Sequence, residues 1–131
     1  MQPSPAPNIS VLLVEDDPSI ATMMSRYLEA TGFRAVVAAS IEAAHEMVRT
    51  EQPDVVVTDI FLVDGEGFSL IEALRSADPD LPIIAISGGR ADFDVLAQAA
   101  KVGANATIEK PFSPAYLVDT IDRCLEARAI R

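Results

Sequence analysis

Five short apolar runs rich in β-branched residues recur along the 131-residue chain: ISVLLV (9–14), FRAVVA (33–38), DVVVT (54–58), PIIAI (82–86) and ATI (106–108). They are near-continuous rather than alternating, which is the pattern of strands buried on both faces. The segments between them have helical length and period. Asp17 ahead of Pro18 pairs an N-cap with a proline at the first helical position, and Gly32 is placed to end that helix. Ser40 caps a second helix, which must stop before Pro53 because a proline restricts the residue in front of it. Gly65–Gly67 open a third helix running to about Ala77, where DPDLP (78–82) breaks it. A fourth runs from about Ala91 to Val102 and is closed by Gly103; Ser113–Pro114 starts a fifth that reaches nearly to the end. Five βα units with short connections imply an α/β fold, a doubly wound parallel sheet with right-handed crossovers. The expected organisation is one domain over residues 9–128 behind a flexible arm, 1–8, whose prolines and polar residues disfavour packing.

Composition excludes several function classes. The formal charge of −10 argues against this chain holding nucleic acid by itself, since phosphate contacts need a basic face. Half of the residues are apolar, yet no run approaches the roughly 20 that a membrane span requires, so no membrane insertion is expected. MQPSPAPNIS has neither a basic start nor an apolar core segment and does not read as a secretory signal. The single cysteine, Cys124, has no partner for an internal disulfide or a metal site. It reads as a small apolar helix residue in a cytoplasmic, reducing setting.

In open α/β sheets, ligands bind outside the carboxyl ends of the strands. Those ends carry Glu15 and Asp16 on strand 1, Asp59 on strand 3, Ser87 on strand 4 and Lys110 on strand 5, whereas strand 2 ends in Ala39–Ser40. Three carboxylates brought to one rim repel one another and call for a divalent cation. An all-oxygen donor set with few protein ligands favours Mg²⁺, which keeps several waters and bridges to phosphate oxygens. A lysine and a hydroxyl opposite can meet the remaining phosphoryl charge. Burying this set at one rim without a function would be costly.

VLLVEDDP, VVVTDIFLVDGEGF, IIAISGG and IEKPF resemble the four signatures of the two-component response regulator receiver family, in order and in approximate spacing. The resemblance covers nearly everything after the N-terminal arm. It implies a flavodoxin-like (βα)5 fold with strand order 2-1-3-4-5. It also implies that Asp59 accepts a phosphoryl group from a histidine kinase or histidine phosphotransfer protein in a phosphorelay. Asp16 resembles the direct Mg²⁺ ligand, Glu15 the acid that holds the metal through water, and the Phe61 backbone carbonyl the third protein ligand beside Asp59. Ser87 matches the switch hydroxyl, and Lys110 the lysine that pairs with Asp59 and then with a phosphoryl oxygen. Phe61 and Gly88 border the phosphoryl group, and Gly88 and Gly89 leave room for the donor. Pro111 stands where the family has a cis peptide bond. Such a protein catalyses only its own phosphorylation and dephosphorylation and is not otherwise an enzyme. Its output face would be helix 4, strand 5 and helix 5, toward a downstream protein or a second copy. A stand-alone receiver, a relay shuttle and a piece of a longer regulator all fit the sequence.

Three positions depart from the family pattern. Val63 replaces a common proline, so a less rigid loop is expected. Thr107 replaces an aromatic switch residue, which moves the expected bistability to Ser87–Gly89 and to 90–93. Phe61 replaces a side chain that is often polar, and it could shield an acyl phosphate from water. Elsewhere the plainer reading is preferred. Asp17 is expected as a helix cap rather than a metal ligand, and His45 as a surface residue. Tyr27 and Tyr116 are expected as partly buried packing residues, with Asp64 and Glu66 as turn and helix-start residues. One rival is a degenerate receiver acting as a phosphorylation-independent interaction module, although no acid and no lysine of the set is lost. A haloacid-dehalogenase-type phosphatase would need an Asp at position 61, and a flavin or nucleotide site would need a Gly-rich loop where EDDP stands.

Overall fold

The computed structural model describes residues 9–88 and 93–129. Five strands form the main sheet: β1 (Ser10–Val14), β2 (Arg34–Ala38), β3 (Val55–Asp59), β4 (Ile83–Ser87) and β5 (Ala106–Glu109). Five helices alternate with them: α1 (Pro18–Ala30), α2 (Ile41–Glu51), α3 (Gly67–Ala77), α4 (Phe93–Val102) and α5 (Pro114–Ala129). The strand order is β2-β1-β3-β4-β5, and every pairing is parallel. This is the expected doubly wound, flavodoxin-like arrangement. The expected arm, 1–8, and residues 89–92, where the switch loop and the start of the fourth helix were placed, lie outside the described residues.

The near-continuous apolar runs are explained by a core on each side of the sheet. On one side Leu12, Val14, Val56, Ile83 and Ala85 pack against Ala44, Leu70, Ile71, Leu74 and Ala99 of α2, α3 and α4. On the other, Val11, Leu13, Val57, Ile84, Ile86 and Ile108 meet Ala21, Met24, Leu28, Leu117 and Ile121 of α1 and α5. Successive strand residues point to opposite faces, so a strand covered on both faces must be apolar at every position. Each fully buried Leu, Ile or Val contributes about 1.5–3 kcal/mol. That stabilisation holds the strand ends in place while charged residues crowd beyond them.

The punctuation signals act as read. The Asp17 carboxylate accepts from the amides of Ser19 at 2.9 Å and Ile20 at 3.2 Å. Ser40 Oγ accepts from Ala43 N at 3.1 Å, and Ser113 Oγ from Tyr116 N at 3.1 Å. Gly32 and Gly103 both adopt positive φ at the predicted helix ends. His45 is exposed and Cys124 half-buried, as expected.

Two expectations need correction. The third helix does not open at Gly65: Phe61–Leu62 pairs antiparallel with Gly65–Glu66 across a two-residue turn, and α3 begins only at Gly67. Tyr27 and Tyr116 are not partly buried packing residues but stand 36% and 48% exposed. Both lie on outer helix faces, where the ring can rest on the surface with its hydroxyl in water. Among the described residues, no helix is long and apolar enough to cross a membrane.

Candidate functional site

Glu15, Asp16, Asp59, Phe61, Gly88 and Lys110 border one cleft of about 280 Å³ at the carboxyl end of the sheet, together with Asp17, Ile20 and Ile86. At about 30 Å³ per water, that space suits a hydrated cation with a small anion rather than a large organic ligand. A more open groove of about 720 Å³ runs beside Pro18, Met23 and Tyr27 on α1, but no carboxylate lines it.

Chain crossovers bring these groups together. β1 and β3 are hydrogen-bonded neighbours, so the residues that follow Val14 and the last residue of β3 emerge side by side. Glu15, Asp16 and Asp59 each place a carboxylate oxygen within 4.8 Å of the others. Glu15 is only 3% exposed and Asp59 only 7%. The Glu15 side chain is oriented by the Asp17 amide, which donates to its Oε2 at 3.0 Å. Asp16 is half-buried, and its carboxylate accepts no hydrogen bond from the described residues.

Lys110 closes the opposite side. Its Nζ lies 3.3 Å from Asp59 and 3.3 Å from Glu15, bridging the two buried acids. The Lys110–Pro111 peptide bond is cis. Gly88 admits the lysine stem, because a Cβ there would meet Lys110 Cδ at 3.0 Å. Phe61 borders the cleft with its side chain 52% exposed, so the ring stands at the rim.

The electrostatics follow from this crowding. Burial pushes the Asp59 carboxyl up from 3.8 to about 7, the hydrogen bond and negative charge of Glu15 add to the rise, and Lys110 opposes it. For Lys110, burial works against the charge, but Asp59 and Glu15 outweigh it and raise the pKa above the ordinary lysine value. One lysine does not satisfy three carboxylates. Without a further cation, the Asp59 carboxyl holds its proton more readily than an ordinary carboxylic acid. A set of three oxygen donors with surplus negative charge, partly open to water, suits a hard divalent cation.

Ser87 behaves differently from the rest of the set. It ends β4 one residue beyond Ile86, the residue paired with Asp59 on the neighbouring strand, and it does not line the cleft. Its side chain is buried, and its Oγ has no partner among the described residues. An uncommitted buried hydroxyl is uncommon, because leaving it unpaired costs about 1–3 kcal/mol. Asp17, read as a cap, is confirmed as one although it touches the cleft.

Sequence reasoning missed two contacts. Lys110 was matched to Asp59 alone, whereas it also reaches Glu15; two buried acids ending adjacent parallel strands were the available signal. The second is Asp64, whose carboxylate accepts from the amides of Ile41 at 2.9 Å and Glu42 at 3.2 Å. No sequence spacing links 64 to 41, so only the fold could show it.

The model of the response regulator receiver domain family matches residues 11–122. This chain belongs to that family. The receiver domain is similar to the transcriptional regulatory protein CssR of Bacillus subtilis, with 32% identity over 117 residues, 89% of this chain and 51% of that protein. It is 36% identical to the transcriptional regulatory protein YvrH of Bacillus subtilis over 115 residues, covering 87% of this chain and 48% of that one. The chain thus spans about half the length of these curated relatives. Among solved structures, the CheY-like receiver domain protein of Methanospirillum hungatei superposes with a TM-score of 0.88 at 27% identity, covering 94% of this chain and 98% of that one. The beryllofluoride-activated NtrC4 receiver domain dimer gives 0.84 at 31% identity, over 91% and 98%.

Proposed function

We propose that this receiver domain accepts a phosphoryl group on Asp59 from a histidine kinase or a histidine phosphotransfer protein and signals through the resulting change of shape. The observation that carries this reading is the meeting of three carboxylates and a bridging lysine in one cleft, with Asp59 as the acid that ends the central strand β3. The carboxylate oxygen of Asp59 attacks phosphorus, the bond from phosphorus to the donor imidazole nitrogen breaks, and its electron pair leaves with that nitrogen. The product is an acyl phosphate. Such a transfer needs charge neutralisation and alignment more than proton shuttling.

Glu15, Asp16, Asp59 and the Phe61 carbonyl are the groups that would hold Mg²⁺. Bound there, the ion would supply positive charge to the phosphoryl oxygens and favour the ionised, nucleophilic form of Asp59. Lys110 neutralises charge from the β5 side, and Ser87 offers an uncommitted hydroxyl to a phosphoryl oxygen. That a receiver 31% identical takes up beryllofluoride and is activated by it supports the same chemistry here. On this reading the chain turns over no other substrate. It works in the cytoplasm and passes its signal to a downstream protein, or to a second copy, through α4, β5 and α5.

The test is intact-mass measurement after incubation with acetyl phosphate and Mg²⁺. Wild-type protein should gain one phosphoryl group, lost in Asp59→Asn and in EDTA. Equal labelling of the variant, or labelling unaffected by EDTA, would refute the assignment.

A further inference from the structure

Residues 60–67 leave the end of β3 and return to the start of α3 as a hairpin with two paired residues on each arm. A two-stranded ribbon of this size is not stable alone in water, so its orientation must come from its anchors. The base is one anchor. Gly67 N donates to Ile60 O at 2.5 Å, and Ile60 N donates across the sheet to Ile86 O at 2.9 Å. Only glycine serves at position 67, because a Cβ there would lie 2.5 Å from the Asp59 carbonyl oxygen.

The tip is the second anchor, and Asp64 makes it. Its two carboxylate oxygens accept from the first two amides of α2, Ile41 N at 2.9 Å and Glu42 N at 3.2 Å. The same turn rests on Ile41: a Cβ on Gly65 would lie 3.3 Å from Ile41 Cδ1. Leu62, half-buried, packs with Ile41 on the core beneath. The Ile41 amide is the main cause that holds the Asp64 carboxyl below its ordinary value; burial opposes it, and the Glu42 amide adds to the lowering. The carboxylate therefore keeps its charge and its grip across the neutral range. Ser40 already caps α2 through Ala43 N, so the helix does not need Asp64 for an N-cap.

Phe61 lies between these anchors, on the arm that borders the cleft. We infer that Asp64 is a positioning residue, tethering the hairpin to α2 so that the Phe61 carbonyl stays presented to the cation cleft. This deepens the proposed function and rests on it. It also explains how the loop is held with Val63 in place of the more rigid proline. The tether acts on the backbone of one ligand only, so its loss weakens the site without abolishing it.

Ser40→Ala is the control, because it removes the other α2 cap while leaving the hairpin tip attached. Mg²⁺ affinity of the full chain would be measured calorimetrically for wild type, Asp64→Ala, Asp64→Asn and Ser40→Ala, with amide exchange of residues 61–66 recorded in the metal-free proteins. Residues that orient metal ligands alter affinity by about 10–100-fold; for a tether acting through one carbonyl, we expect Asp64→Ala to weaken Mg²⁺ about three- to tenfold. Asp64→Asn, which keeps one acceptor oxygen, should fall in between, and Ser40→Ala should bind as wild type does. Amides 61–66 should exchange faster in Asp64→Ala only. Equal affinities and equal exchange in Asp64→Ala and Ser40→Ala would make Asp64 an ordinary helix cap and overturn the inference. If wild-type protein took up no Mg²⁺, the parent reading would fall. The tether would then stand or fall on the exchange rates alone.

Discussion

Replacing Asp59 by Asn should stabilise the metal-free protein at neutral and alkaline pH, even though it removes the residue on which the proposed activity depends. In the folded chain the Asp59 carboxyl sits at about 7 against an ordinary 3.8, chiefly through burial and then through Glu15. Below 3.8 the group is protonated in both the folded and the unfolded chain and favours neither. Between 3.8 and 7 the unfolded chain gives up the proton and the folded one keeps it, so stability falls as pH rises. Above 7 the penalty is complete. A displacement of that size corresponds to about 4 kcal/mol at most. Relaxation and water entry soften the penalty of a buried charge, so about half of this, roughly 2 kcal/mol, is the expected gain for Asp59→Asn at pH 8. For a domain of this length that is roughly 6–10 °C in Tm. At pH 5 only about a third of the penalty has developed, so the gap should shrink in proportion. Melting followed by far-ultraviolet circular dichroism in EDTA at both pH values measures it. Mg²⁺ at tenfold its Kd should then raise wild type by about 1.4 kcal/mol at pH 8 and the variant by less. A gap of equal size at pH 5 and pH 8, or a variant less stable than wild type at pH 8, would show that Asp59 is not under charge strain in the folded chain.

Lys110→Ala should impair switching more than phosphorylation, because the link from the phosphoryl group to β5 is lost while the carboxylate site remains; amide-shift changes on phosphorylation as large as those of wild type would contradict this. Gly67→Ala should destabilise the fold by about 2–4 kcal/mol, since its Cβ would meet the Asp59 carbonyl oxygen at 2.5 Å and backbone must move. Urea denaturation checks it, and a loss under about 0.5 kcal/mol would mean that the hairpin base is looser than it stands here.

Much of this architecture was legible because the signals were local. Unbroken Val and Ile runs announced strands buried on both faces, and Asp17–Pro18, Ser40 and Ser113–Pro114 each set a helix start within one residue. The site was legible for a related reason: once the strands were placed, their carboxyl ends named Glu15, Asp16, Asp59 and Lys110, and the structure brings all four to one cleft. Ser87 was found by the same rule, but its burial beside the cleft rather than within it depends on side-chain direction. The hairpin at 61–66 was hidden because Gly65 and Gly67 read equally well as a helix opening. Two residues on each arm are too few to show a strand period. Tyr27 and Tyr116 were misjudged because a tyrosine is equally at home half-buried or resting on a helix surface, and only tertiary packing decides.

The same cleft bears on how the proposed phosphorylation would act as a switch without an aromatic ring at position 107. With Glu15, Asp16 and Asp59 ionised and Lys110 protonated, the formal charge of the cleft is −2. A divalent cation would bring it to zero, which is a resting arrangement. Converting the Asp59 carboxylate to an acyl phosphate dianion then adds about one negative charge in a largely buried place, and this charge seeks a donor. Lys110 is already shared between two acids, whereas the Ser87 hydroxyl on the adjoining strand has no partner among the described residues. On the proposed function, satisfying both at once would draw the end of β4 toward the cleft. On β5, Thr107 lies opposite Ala85 and borders an open groove with Tyr116, so a small side chain stands where the family has a ring to swing. On the proposed function a pull on Ser87 would act on the end of β4, where the small Thr107 of β5 sets no ring beside it.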